Sequence, residues 1–180
     1  MDKYRPEVVR EAKGVVLEVG FGSGLNIPYY AGIVKLYALE PYQEFYSLSE
    51  YRIKKAKFPV EHLTASAEKI PLEDNSVDSV VSTWSLCSIP HPEIALGEIM
   101  RVLKPGGIFT FIEHGHSPKN FISKAQNLLT PVWKHITAGC HLNRQIDVLV
   151  KNSGLKIQKL EKFEQKSGSL VFMYKGSSKK

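Results

Sequence analysis

An α/β fold with a parallel sheet covered by helices on both faces is predicted by three observations. Short apolar runs alternate with helical patterns through residues 14–115, the first run ends in a glycine-rich turn, and polar residues gather at the carboxyl ends of the runs, where open α/β sheets hold their ligands. The last third leaves this rhythm and ends in two strand-like stretches, 155–165 and 170–174, separated by the turn-forming KSGS of residues 166–169, which predicts an antiparallel hairpin. Repeats, low-complexity stretches and linkers are absent from the sequence, so residues 1–180 are expected to form one domain.

In chain order, residues 2–13 hold a short helical pattern, with Pro6 suited to a first turn and Val8, Val9 and Ala12 on one side. Val15, Val16, Leu17 and Val19 form the apolar run of a strand buried on both faces, and Gly20, Gly22 and Gly24 turn the chain after it. A helix interrupted by Pro28 is expected over 25–30, a second strand over 35–40, and a longer amphipathic helix over 45–57. Residues 60–66 and 77–85 read as the third and fourth strands, 92–103 as a helix between Pro90 and Pro105, and 107–114 as the fifth strand. Phe121, Ile122, Ala125, Leu128, Leu129, Val132, Trp133 and Ile136 then recur at helical spacing, with Thr130 and Pro131 placed to end one helix and start another. A further helix over 146–150 stops near Gly154.

With 43% hydrophobic and 23% charged residues, the composition is that of a soluble globular chain rather than a disordered or membrane-embedded one. Residues 1–13 lack the apolar core of a signal peptide, and Cys87 and Cys140 are expected as reduced thiols, so a cytoplasmic location is expected. The net charge of +6 is spread along the chain, with Lys166, Lys175, Lys179 and Lys180 near the end read as a solvated surface and frayed tail. No nucleic-acid partner is expected, a peripheral lipid contact is allowed, and the oligomeric state is left open.

The glycine spacing G-x-G-x-G differs from the dinucleotide fingerprint G-x-G-x-x-G, which disfavours NAD. Glu18 lies inside the apolar strand, where a carboxylate needs a hydrogen-bonding partner, either a cationic ligand end or the amides of the turn. Glu40 ends the second strand at the spacing of a carboxylate that takes two ribose hydroxyls. Together these residues resemble the S-adenosylmethionine (SAM)-dependent methyltransferases of the Rossmann-like class. ASAEKIPLEDNSVD at 65–78 and RVLKPGG at 101–107 extend the resemblance, which covers residues 14–115. It implies a doubly wound, seven-stranded, mostly parallel sheet closed by the C-terminal hairpin. It also implies SAM along Glu18, Gly20, Phe21, Gly22, Ser23, Gly24, Leu25 and Asn26, with Glu40 on the ribose, Pro41 and Tyr42 beside the base, and Ser66, Ala67 and Glu68 near the adenine. Such proteins usually carry Asp at the Ser66 position.

In methyl transfer the cofactor brings the reactive group, and the protein chiefly orients the partners. A hydroxyl or amine acceptor is helped by a general base, whereas a thiol supplies thiolate near neutral pH. The fourth strand ends STWSLC, without the N/D-P-P-Y/F set of amine-methylating enzymes or the aspartate of metal-dependent catechol methyltransferases. Thr83 and Trp84 are assigned to the cofactor side, and Glu113, His114 and Arg144 are the candidate catalytic residues. A zinc site from His114, His116, Cys140 and His141 matches no common ligand spacing, so no metal is expected. EH at 113–114 and PVWKHITAGCHLNR at 131–144 further resemble the E-H…P-x-W…G-C-x-L-x-R pattern of small methyltransferase-like proteins that methylate alkyl thiols, matching at Glu113, His114, Trp133, Gly139, Cys140, Leu142 and Arg144. Residues 1–13 hold no counterpart of the N-terminal hydrophobic anchor of those proteins.

The sequence thus points to a SAM-dependent methyltransferase, forming S-adenosyl-L-homocysteine, that acts on a small lipophilic acceptor such as a thiol, phenol or quinone-like hydroxyl, or lipid amine. The alternatives are a non-catalytic SAM-binding module completed by a partner and an NAD-dependent oxidoreductase.

Overall fold

The computed structural model describes residues 2–137, 139–165 and 168–180. Seven strands in these residues form one sheet: β1 (Gly14–Val19), β2 (Ile33–Leu39), β3 (Val60–Leu63), β4 (Val77–Thr83), β5 (Leu103–Gly115), β6 (Lys156–Glu164) and β7 (Phe172–Lys179). Their order is β3-β2-β1-β4-β5-β7-β6, parallel throughout except for β7, which runs antiparallel to both β5 and β6. The chain reverses its winding between β1 and β4, so a crevice opens at the carboxyl ends of those two strands.

The described residues also form five α-helices: α1 (Arg5–Val9), α2 (Glu44–Ile53), α3 (Pro92–Val102), α4 (Asn120–Ile136) and α5 (Ile146–Asn152). On one face Leu17, Val80, Phe109 and Phe111 meet Leu96 and Ile99 of α3 and Ile146 and Val150 of α5. On the other, Val16, Val81, Ile112 and Met173 meet Val8 and Val9 of α1 and Phe21 of the glycine turn. Helix α3 shows why its sequence folds this way. Pro92 and Glu93 suit its first turn, Arg101 its last, and Ala95, Leu96, Ile99 and Val102 form one buried face.

Several elements differ from the sequence reading. The helix expected over 25–30 is a single 3-10 turn, Ile27–Tyr29, because the buried Asn26 side chain is held beneath the turn and Tyr30 is already extended. Helix α2 is not amphipathic in its burial: Ser49 is its one buried residue, and Leu48 and Tyr51 face solvent. Helix α4 runs through Pro131 unbroken, since the missing N–H affects only the carbonyl of exposed Asn127, while Thr130 Oγ1 donates to Gln126 O at 2.6 Å. The last residues are not frayed. β7 continues to Lys179, and Lys180 Nζ donates to Leu103 O at 2.7 Å. Of the expected hairpin turn, Lys166 and Ser167 lie outside the described residues.

Phe109 is fully buried and stacks on Phe111 at 5.3 Å between ring centroids. Phe109→Ala should therefore lower the unfolding free energy by about 3–5 kcal/mol, read as a reduced urea midpoint with an unchanged m-value.

Candidate active site

A cavity of about 420 Å³ lies at the carboxyl ends of β1, β2 and β4. One wall is formed by Glu40, Pro41, Tyr42 and Phe45 after β2, with Ala65, Ser66 and Ala67 after β3. The opposite wall carries Thr83, Trp84, Ser85, Ser88, Ile89 and Pro90 after β4, and Arg5 of α1 closes the side. The floor is the end of β1 at Val19 and Gly20.

Two glycines of the turn have separate reasons to be glycine. At Gly20, φ is +69° and a Cβ would sit 2.0 Å from Ser85 Oγ, so a side chain would collide with the cavity wall. At Gly22, φ is +53° and a Cβ would meet nothing within 4 Å, which leaves the main chain open to a ligand. The Gly22 amide donates to Glu40 Oε2 at 2.9 Å and the Tyr42 amide to Oε1 at 3.3 Å, so Glu40 is fixed at the cavity edge by backbone donors.

Glu18 is 1% exposed. Its oxygens accept from Asn26 Nδ2 and Tyr30 Oη, both at 2.8 Å. Side chains therefore satisfy it, rather than the amides of the glycine turn. Arg5 Nη1 donates to Asn26 Oδ1 at 2.8 Å and to Thr83 Oγ1 at 3.1 Å, and Asn26 Nδ2 also reaches Thr83 Oγ1 at 3.0 Å. Burial pushes the Glu18 carboxyl up to about 7, against the opposing pull of Tyr30, Asn26 and Arg5. Trp84 has a left-handed backbone, with φ +56°, and its buried Nε1 finds no hydrogen-bond partner among the described residues, while the Arg5 guanidinium lies 4.6 Å from its ring centre.

Residues 17–111 match the methyltransferase domain family. The chain is 36% identical over 149 residues to the thiol S-methyltransferase TMT1B of Rattus norvegicus, covering 76% of this chain and 60% of the relative. The chain belongs to the SAM-dependent methyltransferases. It is 25% identical over 146 residues to a phosphatidylethanolamine N-methyltransferase of Cereibacter sphaeroides, covering 80% of this chain and 71% of that one. A SAM-dependent methyltransferase structure from Aquifex aeolicus superimposes with a TM-score of 0.67 at 18% identity, covering 98% of this chain and 92% of that one. The chain thus spans about 60% of the length of its rat relative.

SAM is the cofactor of this family, and the cavity fits it: it offers a carboxylate at a strand end, a glycine in its floor at Gly20 and an unpartnered indole N–H. Of the residues assigned to the cofactor from sequence, Gly20, Glu40, Pro41, Tyr42, Ser66, Ala67, Thr83 and Trp84 line the cavity. Phe21, Gly22, Ser23, Gly24, Leu25, Asn26, Glu18 and Glu68 are not among its lining residues. Phe21 is core, Ser23 O accepts from Arg52, and Asn26 and Glu18 form the network beneath the turn. Glu68 Oε1 accepts from the His91 amide at 2.7 Å at the start of α3. Arg5 and Tyr30, which the sequence reading passed over, carry part of this site. Arg5 lies in a short helix far from the glycines in sequence, and neither residue stands in a recognisable spacing.

The candidate catalytic residues lie behind the cavity wall. Glu113 is fully buried and accepts from Ser82 Oγ at 2.7 Å, Ser85 N at 3.1 Å and Cys87 N at 3.3 Å, and burial pushes its carboxyl up against these hydrogen bonds. Arg144 Nη1 donates to Leu86 O, and burial draws its guanidinium below the usual range while Cys87, Glu113 and Cys140 oppose that shift. Glu113 and Arg144 thus grip the loop after β4 by its amides and its carbonyl. His114 Nδ1 lies 3.4 Å from Cys140 Sγ. The Cys140 sulfur and burial push the Cys87 thiol up, while Cys87 and the His114 imidazole hold Cys140 below the usual thiol range.

The raised Glu18 value has a stability consequence. The folded state keeps a proton that the unfolded chain releases near 4.5, so this group's contribution is present in full below 4.5 and is lost as pH rises to about 7. Glu18→Gln removes that loss. Urea unfolding from pH 4.5 to 7.5 should show the variant gaining on the wild type with rising pH, by a total on the order of 3 kcal/mol.

Proposed function

We propose that the chain transfers the methyl group of SAM to a small lipophilic thiol. The observation that carries this reading is the composition of the acceptor-side wall. Trp84, Ser85, Ser88, Ile89 and Pro90 bring neither carboxylate nor imidazole, and Glu40, the one carboxylate among the described lining residues, stands on the opposite wall. An acceptor there has to ionise without a general base. A thiol does so, with a pKa near about 8.5, whereas a phenol or an ammonium is harder to deprotonate. The Arg5 guanidinium at the same wall favours an anionic nucleophile. The thiol S-methyltransferase relative points the same way.

SAM, when bound, supplies an electrophilic methyl, so that a carbon–sulfur bond to the acceptor forms as the sulfonium carbon–sulfur bond breaks and S-adenosyl-L-homocysteine leaves. The chain's own residues orient the partners. Glu40 would hold the ribose hydroxyls, with Pro41, Tyr42, Phe45, Ser66 and Ala67 of the same wall available to the base. Trp84 and Ser85 shape the acceptor side, with Glu113 and Arg144 fixing their loop.

A lipophilic acceptor is met at an anionic lipid surface. Phe121, Leu128, Val132 and Ile136 of α4 are 86%, 79%, 66% and 73% exposed. The stretch 114–146 holds no Asp or Glu, yet carries Lys124 and Lys134 on α4. An apolar helix face beside lysines suits the interfacial region of a bilayer containing acidic lipids. Phe121→Asp with Leu128→Asp should abolish cosedimentation with phosphatidylserine-containing vesicles and leave SAM binding intact.

Glu40→Ala should weaken SAM binding in calorimetric titration about 10- to 100-fold, while NADH gives no heat with either protein. In turnover assays the log of kcat/KM for alkyl thiols should rise with pH at unit slope and level off at the acceptor's own pKa, moving down for more acidic thiols. Methylation of phenols or amines but not thiols would overturn the acceptor class.

A further inference from the structure

We infer that Cys87, His114 and Cys140 form a binding site for one thiophilic divalent cation, with Zn(II) as its reference ion. The three ligands come from three separate segments: the loop after β4, the end of β5, and the connection between α4 and α5. Their spacings of 27 and 26 residues follow no ligand signature, so the cluster is visible only after folding. All three are buried, and their donor atoms lie within 4.8 Å of one another. A tetrahedral Zn(II) site sets its sulfurs about 3.8 Å apart and a sulfur and nitrogen about 3.5 Å apart. His114 Nδ1 and Cys140 Sγ, at 3.4 Å, already stand at such an edge, and the remaining closure is a matter of side-chain rotation.

The backbone carrying these donors is fixed by other contacts. His141 N donates to Cys87 O at 2.8 Å, joining the two cysteine segments directly. Gly139 has φ +85°, and a Cβ there would approach Ser88 O to 3.2 Å, so the chain before Cys140 lies against the loop that carries Cys87. His114 is paired to Met173 in the β5–β7 ladder. The cluster thus brings two buried thiols and one buried imidazole together, and His114 Nδ1 faces the Cys140 sulfur rather than a backbone or carboxylate partner.

The donor set selects the ion. Two sulfurs and an imidazole suit Zn(II)-like cations and not Mg²⁺ or Ca²⁺, which take oxygen ligands, and the nearby Glu113 carboxylate is already used by Ser82, Ser85 and Cys87. Binding releases the two thiol protons, so the cation and two thiolates form a neutral unit suited to a buried site. Three protein ligands leave the fourth position to water or another outside donor. The ion would clamp the loop that supplies Trp84, Ser85 and Ser88 to the cavity, whatever the acceptor is.

The test is a titration of the reduced, chelator-treated full chain with Co(II), a coloured probe of tetrahedral thiolate sites, followed by displacement with Zn(II). The wild type should develop sulfur-to-cobalt charge-transfer and visible d–d bands saturating at one equivalent, with Zn(II) bleaching them. Cys140→Ser and His114→Asn should each weaken binding at least tenfold, with circular dichroism confirming that they remain folded. Absence of these bands in the wild type, or bands of equal intensity in the Cys87→Ser/Cys140→Ser double variant, would overturn the site.

Discussion

The fold depends most on one buried carboxylate. Glu18 sits in the central strand, and an unpaired charge at that depth is expensive enough to unfold a marginally stable domain. Its partners settle where three other segments go. Tyr30 brings in the end of the β1–β2 connection, Asn26 the glycine turn, and Arg5, through Asn26 and Thr83, joins α1 to the end of β4. Satisfying Glu18 therefore fixes the network beneath the glycine turn, which explains how a connection too short for a helix still holds its shape.

A second buried carboxylate organises the opposite wall. Glu113 accepts from the amides of Ser85 and Cys87, while Arg144 donates to the carbonyl between them, so the loop after β4 is held from both of its backbone polarities. This arrangement keeps Trp84 in a left-handed conformation that its side chain disfavours. The strain is maintained by the surroundings and places an aromatic ring at the cavity. Glu113 and Arg144, the candidate catalytic residues from sequence, make the contacts that hold the loop carrying Trp84 and Ser85.

The parallel core and the strand-end residues that line the cavity were legible because their signals are local. A strand ending in glycines, an acid ending the next strand, and ASAEKIPLEDNSVD and RVLKPGG each occupy consecutive positions, and each lies where the sheet needs it. The hairpin was legible too, although β7 runs past Tyr174 to Lys179, since Gly176, Ser177 and Ser178 read poorly as strand and are held there by pairing with β5. The misses share a cause. Arg5 with Thr83, Tyr30 with Glu18, and Cys87 with Cys140 are contacts between distant segments that no periodicity announces. Pro131 misled in the other direction, because a proline whose lost partner is an exposed carbonyl costs a helix less than one in the core.

The two carboxylate networks are not independent, because they touch at Gly20 and Ser85. Ser85 Oγ lies 3.5 Å from Gly20 O and 3.3 Å from Thr83 O, and a Cβ on Gly20 would occupy the place of that hydroxyl. The first glycine of the turn thus also admits the loop after β4 that forms the opposite wall of the cavity. Moving either side displaces the other, since protein interiors offer little free volume to absorb a shift. In a methyl transfer, where distance and alignment between donor and acceptor supply most of the rate, this shared contact makes the relative position of the two walls a property of the folded chain itself.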